Sequence, residues 1–185
     1  MPPAAMAALA LTMDFAVPIE CQRAVLRRFA GMPHRCQYLG DVNGVAVIDD
    51  SKATTVIATV AALTGLAQPT WLIAGGDGKG QAFAALAAAA APHCRAVHLI
   101  GRDAPAIAAA LDVRGVPYRH FPSLDDAVHA ALDESRAGEQ LLLSPACASW
   151  DMFRNFGHRA ERFVAAVDAW AMVHGTALNR AGGAA

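Results

Sequence analysis

The sequence predicts an α/β fold built on a doubly wound, mainly parallel sheet, and three observations carry that expectation. Short apolar runs of strand length, among them TWLIAGG (70–76), RAVHLIG (95–101) and QLLLSPA (140–146), alternate with alanine- and leucine-rich stretches of helical length. The runs are apolar at nearly every position, as in strands covered on both faces. Each run then gives way to glycine, aspartate or serine, residues that turn a strand towards the next helix.

The elements follow in order. Residues 4–13 read as a helix, and so do residues 19–30, where Ile19, Val25, Leu26 and Phe29 recur on one face before Gly31 and Pro33 end the segment. Both precede the first strand and have little to pack on, so they read as the end of another unit. From residue 35 the pattern changes. CQYLGDVNGVAVIDD reads as a hairpin turning at Asn43-Gly44. A helix is expected over Thr54–Leu66, then a strand at 70–76 and a helix at 83–91. A strand at 95–101, a helix at 103–111, a strand at 117–121 and a helix at 123–134 continue the alternation. A last strand (140–146) leads to a long helix from about Asp151 to Val173, and residues 175–185 read as a disordered tail. The sum is a six-stranded, Rossmann-like sheet with one antiparallel strand. Such sheets bind ligands at the carboxyl ends of their strands. Here those ends are Asp49–Lys52, Gly75–Lys79, Gly101–Asp103 and Ser144–Ser149, where most chemically versatile residues fall.

Composition removes several classes. The 185 residues suit one sizeable core. The apolar share of 55% rests largely on 44 alanines, so a mean hydropathy of +0.31 is no membrane signal. No run approaches the ~18 strongly apolar residues that cross a bilayer. The opening MPPAAMAALALTMDF lacks a basic secretory leader and carries Asp14, so a cytoplasmic location is expected. A net charge of −1 with dispersed basic residues argues against nucleic acid. Cys21, Cys36, Cys94 and Cys147 form no CxxC pair, and no HExxH occurs, so buried reduced thiols are expected and no metal ligands.

Four segments have chemical potential, each beside a plainer reading. GGDGKG follows a buried strand, where glycines admit a ligand to the backbone and Lys79 meets a phosphate or carboxylate. It is not a P-loop, because Gly80 stands where Walker A needs Ser or Thr. An ordinary strand-to-helix turn with a solvated lysine is the alternative. In DDSKATT, Ser51 or Thr54 can cap the next helix, and Lys52 adds charge to an anion site. A simple cap with surface charges is the alternative. SPACASWDMFRNF offers Ser144 and Ser149 with apolar walls from Trp150, Phe153 and Phe156, or merely a cap with core aromatics. There is no GxSxG, so a nucleophilic serine is not expected. Arg35, beside Pro33 and His34, can reach a phosphate or lie on the surface.

Taken together, GMPHR, DDSKATT, LIAGGDGKG, LIGRD and LLLSPACASWDMFRNFGHRAERF occur in this order and with fitting spacing. In that combination the chain resembles the C-terminal domain of the Mur ligases, and among them the members that add D-glutamate. The resemblance runs from about residue 4 to about residue 170. It implies residues 1–33 as a helical remnant of a central ATPase domain, 34–174 as the amino-acid-binding domain and 175–185 as the tail. The family's UDP-sugar domain, P-loop and magnesium-holding side chains have no counterpart here, and the adenine-gripping asparagine falls near Ala4.

The chemistry implied is ATP-dependent ligation in peptidoglycan synthesis. The carboxylate of UDP-N-acetylmuramoyl-L-alanine is phosphorylated, and the amine of D-glutamate attacks the acyl phosphate. By the same resemblance Lys52, Thr54, Ser149, Trp150 and Phe156 form the D-glutamate pocket. Arg35 contacts ATP phosphate and Asp50 its ribose, with His34 beside them, while Asp77 and Lys79 close on the reacting phosphate. ATP and Mg²⁺ would be held mainly by the missing domains. The partners implied are the substrates and those domains, with no nucleic acid and no membrane insertion, in a monomer. On this reading the chain alone is inactive. Two alternatives remain: an inert D-glutamate- or nucleotide-binding module from a truncated gene, and an unrelated doubly wound dehydrogenase or transferase. The missing GxGxxG and the extra leading helices weigh against the latter.

Overall fold

The computed structural model describes residues 9–12, 15, 17–28 and 31–180. The chain divides into two compact units, Met1–Met32 and Pro33–Ala185. In the first, residues 9–12 are helical, and the rest of the helix expected over 4–13 lies outside the described residues. Helix α1 (Ile19–Arg28) has no buried side chain. Residues 29 and 30, expected to extend it, also lie outside the described residues.

The second unit is a seven-stranded sheet between two layers of helices. Strands β1 (Gln37–Val42) and β2 (Val45–Asp49) form the expected hairpin. Asn43 and Gly44 both have positive φ, 50° and 76°, as a two-residue turn that preserves strand twist requires. There follow α2 (Val56–Gly65), β3 (Thr70–Gly75), α3 (Ala84–His93), β4 (Cys94–Ile100), α4 (Ala104–Asp112), β5 (Tyr118–His120), α5 (Leu124–Glu134), β6 (Gln140–Leu143), α6 (Phe156–Val173) and β7 (Asn179–Arg180). The strand order is β5-β4-β3-β6-β2-β1-β7. Strands β2, β6, β3, β4 and β5 pair in parallel, and β1 runs against its neighbours β2 and β7.

The pleat sorts the apolar side chains. Leu72, Ala74, Val97, Leu99 and Leu142 pack against α2, α3 and α4. Trp71, Ile73, Leu141 and Leu143 point the other way, against α5 and α6. The connections therefore change faces after β5. The chain leaves the adjacent strands β3 and β6 towards opposite layers, the place at which such sheets bind ligands.

Of the four cysteines expected to be buried, Cys21 and Cys36 are exposed and only Cys147 is fully buried. The structure corrects four further expectations. The sheet has seven strands, because Asn179 and Arg180 in the supposed tail pair with Asp41 and Gly40. Helix α2 is capped by Thr55, whose side chain accepts from the Ala58 amide, and not by Ser51 or Thr54. Strand β6 stops at Leu143, before Pro145, which has no N–H to pair. Helix α6 starts at Phe156 rather than near Asp151. Asn155 caps it with a bond of 2.8 Å from the His158 amide, while Met152 and Phe153 turn back on the Ser149 carbonyl.

Candidate functional site

The carboxyl end of β2 is a buried polar knot. Asp49, Asp50 and Ser51 are only 1%, 6% and 0% exposed. One Asp49 oxygen lies 2.7 Å from His34 Nδ1 and the other accepts from the Ser51 amide at 2.8 Å. An ionised carboxylate only accepts, so Nδ1 is the donor in this bond. Asp50 accepts from the Cys36 amide at 3.1 Å and from the Ser144 hydroxyl at 2.7 Å, which ties β2 to its neighbour β6. Burial raises the Asp50 carboxyl above its ordinary value. The bonds from Ser144 and Cys36 pull it back, and Asp49 adds to the rise.

Lys52 leaves this knot with its Nζ 3.6 Å from the centre of the Phe156 ring. The edge of His34 meets the same ring, with centroids 5.9 Å apart, and the Lys52 amide donates to the His34 carbonyl at 3.0 Å. Beneath them Arg159 is wholly buried. Its guanidinium donates to Ser51 Oγ at 3.0 Å, to the Ser51 carbonyl at 2.8 Å and to the Cys147 carbonyl at 3.1 Å. Burial pulls its pKa down to about 10, so it stays a cation at neutral pH. Burial likewise pushes the Cys147 thiol up to about 12, which keeps it protonated and unreactive.

The glycine turn after β3 is built differently. Asp77 and Ala148 exchange both backbone hydrogen bonds, 2.9 and 2.8 Å, joining the β3 and β6 loops next to Ser149. Gly76 has a φ of 126°, and a Cβ there would come 2.3 Å from the Ala148 oxygen, so only glycine fits. The Asp77 carboxylate accepts from the Lys79 amide at 2.9 Å and pairs with Arg102 at 2.5 Å. Asp103 accepts from the Gly78 amide at 2.6 Å, and Asp151 accepts from the Arg102 amide at 2.8 Å. Gln81 braces these loops: its amide group donates to Gly78 and Ala146 carbonyls and accepts from the Val56 amide. Lys79 sits exposed at the tip with a φ of 54°.

The fold thus brings His34, Lys52 and Phe156 into one cluster, sets buried Ser149 beside the Asp77 pairing, and draws Asp50 into the framework. Thr54 is half-buried just beyond Lys52. Arg35 and Lys79 are exposed, and Trp150 is 71% exposed. Among the described residues, Arg35, Lys52 and Lys79 have no ion-pair partner. Nor do three or more His, Cys, Asp or Glu side chains gather there as metal ligands do. A groove of about 440 Å³ borders His34 and Asp49 along α6. Another of about 300 Å³ lies by the hairpin turn. Neither is lined by Lys52, Ser149 or Lys79. Sequence reasoning did not single out Arg159, Gln81 or Asp151. Arg159 and Gln81 look like ordinary solvated helix and loop residues until the fold buries or bridges them.

A doubly wound α/β domain with unpaired cations along the carboxyl edge of its sheet is what these features define. The chain belongs to the family described as the Mur ligase, glutamate ligase domain, whose model matches residues 34–147. It is 53% identical over 163 residues to UDP-N-acetylmuramoylalanine–D-glutamate ligase of Nitrosospira multiformis, covering 88% of this chain and 34% of that protein. It is 54% identical over 171 residues to the protein of the same name from Burkholderia multivorans, covering 92% and 34%. The chain therefore spans about a third of the length of these curated relatives. Among solved structures it matches UDP-N-acetylmuramate-alanine ligase MurC of Thermotoga maritima with a TM-score of 0.63 at 17% identity, over 87% of this chain and 36% of that one. A bifunctional folylpolyglutamate synthase/dihydrofolate synthase of Yersinia pestis, complexed with AMPPNP and Mn ion, matches at 0.61 and 20%, over 85% and 37%. At these identities the structural likeness shows the shared fold. No helix among the described residues is long and apolar enough to cross a membrane.

Proposed function

We propose that this chain forms the amino-acid-binding side of an ATP-dependent ligase that joins D-glutamate to UDP-N-acetylmuramoyl-L-alanine in peptidoglycan synthesis. The observation that supports this most directly is Lys52, a cation without an ion-pair partner among the described residues, seated on the Phe156 ring. An ammonium over a ring face keeps its charge but loses part of its water, which leaves it ready for an anion. Thr54 and Ser149 add hydroxyl donors at the same edge, so a D-glutamate carboxylate can be gripped and its amine left free to attack.

ATP, when bound, supplies the phosphoryl group that activates the acceptor carboxylate. Arg35, exposed and unpaired, suits a phosphate oxygen, and Lys79 at the tip of its turn suits charge developing on the transferred group. Asp77 acts by fixing the Lys79 backbone and holding Arg102. Asp50 reaches a ribose hydroxyl only with the lone pairs that Cys36 and Ser144 leave, and His34 presents Nε2 from the Phe156 cluster. Mg²⁺ is assigned mainly to the rest of the ligase. In this reading the protein is a cytoplasmic monomer, and the 185-residue chain alone catalyses no ligation.

Titrating D-glutamate into the ¹⁵N-labelled chain tests the proposal. Weak binding should shift the amides of Lys52, Thr54 and Ser149, and Lys52→Ala should weaken it about tenfold or more, the scale of one charge-assisted contact. Shifts confined to other regions would overturn the assignment. Robust phosphate release from ATP, Mg²⁺, UDP-N-acetylmuramoyl-L-alanine and D-glutamate by the chain alone would show that the site is complete within it.

A further inference from the structure

We infer that Arg159 is a positioning residue that fixes the spacing between Lys52 and Ser149, an inference that rests on the D-glutamate reading above. Arg159 lies one turn into α6, and its guanidinium reaches two separate segments. It holds both Ser51 Oγ and the Ser51 carbonyl, one residue before Lys52, and the Cys147 carbonyl, two residues before Ser149. The Ser51 hydroxyl in turn donates to the Phe156 carbonyl at 2.8 Å, and the Phe156 ring carries the Lys52 ammonium. Loop, helix start and second loop thus close into one ring of contacts around a single guanidinium.

The chemistry explains why an arginine stands there. A planar fork of five donors can serve three oxygens in different directions, which a lysine ammonium on a flexible stem does poorly. A buried cation is costly to desolvate, and among the described residues Arg159 has no carboxylate in ion-pairing range. The Asp151 and Asp49 carboxylates act on it electrostatically from further off, so what Arg159 contributes at this edge is geometry.

The test compares the parent chain with Arg159→Lys, Lys52→Ala and the double variant, by D-glutamate titration and by amide hydrogen exchange. If Arg159 acts through Lys52, Arg159→Lys weakens D-glutamate binding about tenfold, and adding Lys52→Ala to it costs much less than Lys52→Ala costs alone. Exchange should speed up together at Lys52 and at Ala148–Ser149 while β3 and β4 stay protected. Independent, multiplying losses in affinity, or exchange unchanged in either loop, would overturn the inference. If the parent binds no D-glutamate, the functional reading fails by itself, and joint loosening of the two loops still decides the positioning role. Should Arg159→Lys not fold, Ser51→Ala removes one acceptor and keeps the charge, and the same paired loosening is expected in milder form.

Discussion

Lys52 and Lys79 stand at strand ends on either side of β6, and the chain presents them by opposite means. Around Lys52 the polar groups are sealed in: Asp49, Asp50, Ser51 and Arg159 are all less than a tenth exposed, and they are linked by buried and part-buried hydrogen bonds. Around Lys79 the turn is held from outside, by an Asp77–Arg102 pair whose side chains are 18% and 60% exposed, and by glycines that let backbones touch. The first arrangement suits a pocket that must keep one shape for a small dicarboxylate. The second suits a residue that must move onto a phosphate delivered from elsewhere. Stability effects should therefore be large and insensitive to salt in the Lys52 knot, and small and salt-dependent at the Lys79 turn, except where a glycine carries the close approach.

That exception gives the largest expected effect. Gly76→Ala places a Cβ 2.3 Å from the Ala148 oxygen at a φ of 126°, so the Asp77–Ala148 pairing must break. A loss of about 3 kcal/mol or more is expected in chemical denaturation. A loss under about 1 kcal/mol would mean that the two loops can part freely.

Asp50→Asn probes the sealed side. The amide can still accept from Cys36, and it can donate to Ser144, whose hydroxyl can turn to Thr59 Oγ1, 3.0 Å away. The fold should survive with a change in pH response. The folded-state pKa of Asp50 is raised, so its contribution to stability is fully present below the unfolded value and is lost as pH rises through the folded one. Relative to the parent, Asp50→Asn should therefore be worse near about pH 4 and should gain on it towards about pH 7. A difference in melting temperature that is constant with pH would show that the Asp50 carboxyl titrates as it does in the unfolded chain.

The strand ends were legible in the sequence because the same residues do two jobs there. Glycine and aspartate end a strand by their backbone preferences and also carry the polar chemistry, so GGDGKG and DDSKATT mark both the sheet edge and the site. The helix starts were less legible. Ser51, Thr54 and Thr55 are all competent caps, and only the position of the α2 backbone selects Thr55. Strand β7 was invisible because two polar residues carry no period. It forms because Leu178 is buried in the core and because Gly40, with a φ of 142°, lets the chain pass. Arg159 was unreadable for a third reason: on an amphipathic helix an arginine looks solvated, and its oxygens lie some 108 residues away at Ser51 and 12 away at Cys147.

Lys79 itself separates function from fold. At a φ of 54° it occupies the left-handed region that favours glycine. Lys79→Gly should relieve that strain and raise stability by about 1 kcal/mol, while removing the cation proposed to meet the phosphate. A variant that melts lower would show that the lysine side chain supports the turn.

The smallest effect is expected at Arg102, and it tests the contrast most directly. Its guanidinium pairs with Asp77 at 2.5 Å and reaches towards Asp103 at 3.8 Å. Its amide, which donates to Asp151, survives a change of side chain, so Arg102→Ala removes only the exterior pair. Solvent-exposed pairs contribute about 0.2–1 kcal/mol, and in a domain of this size that amounts to about 1–3 °C in melting temperature. Asp77 keeps its bond from the Lys79 amide, so the turn should persist. At about 1 M salt, where the screening length falls to ~3 Å, the difference between parent and variant should vanish. The loss caused by Arg159→Lys, whose partners are buried and uncharged, should persist under the same conditions. If the Arg102 difference also survives high salt, the turn is sealed after all, and the two lysines are presented in the same way.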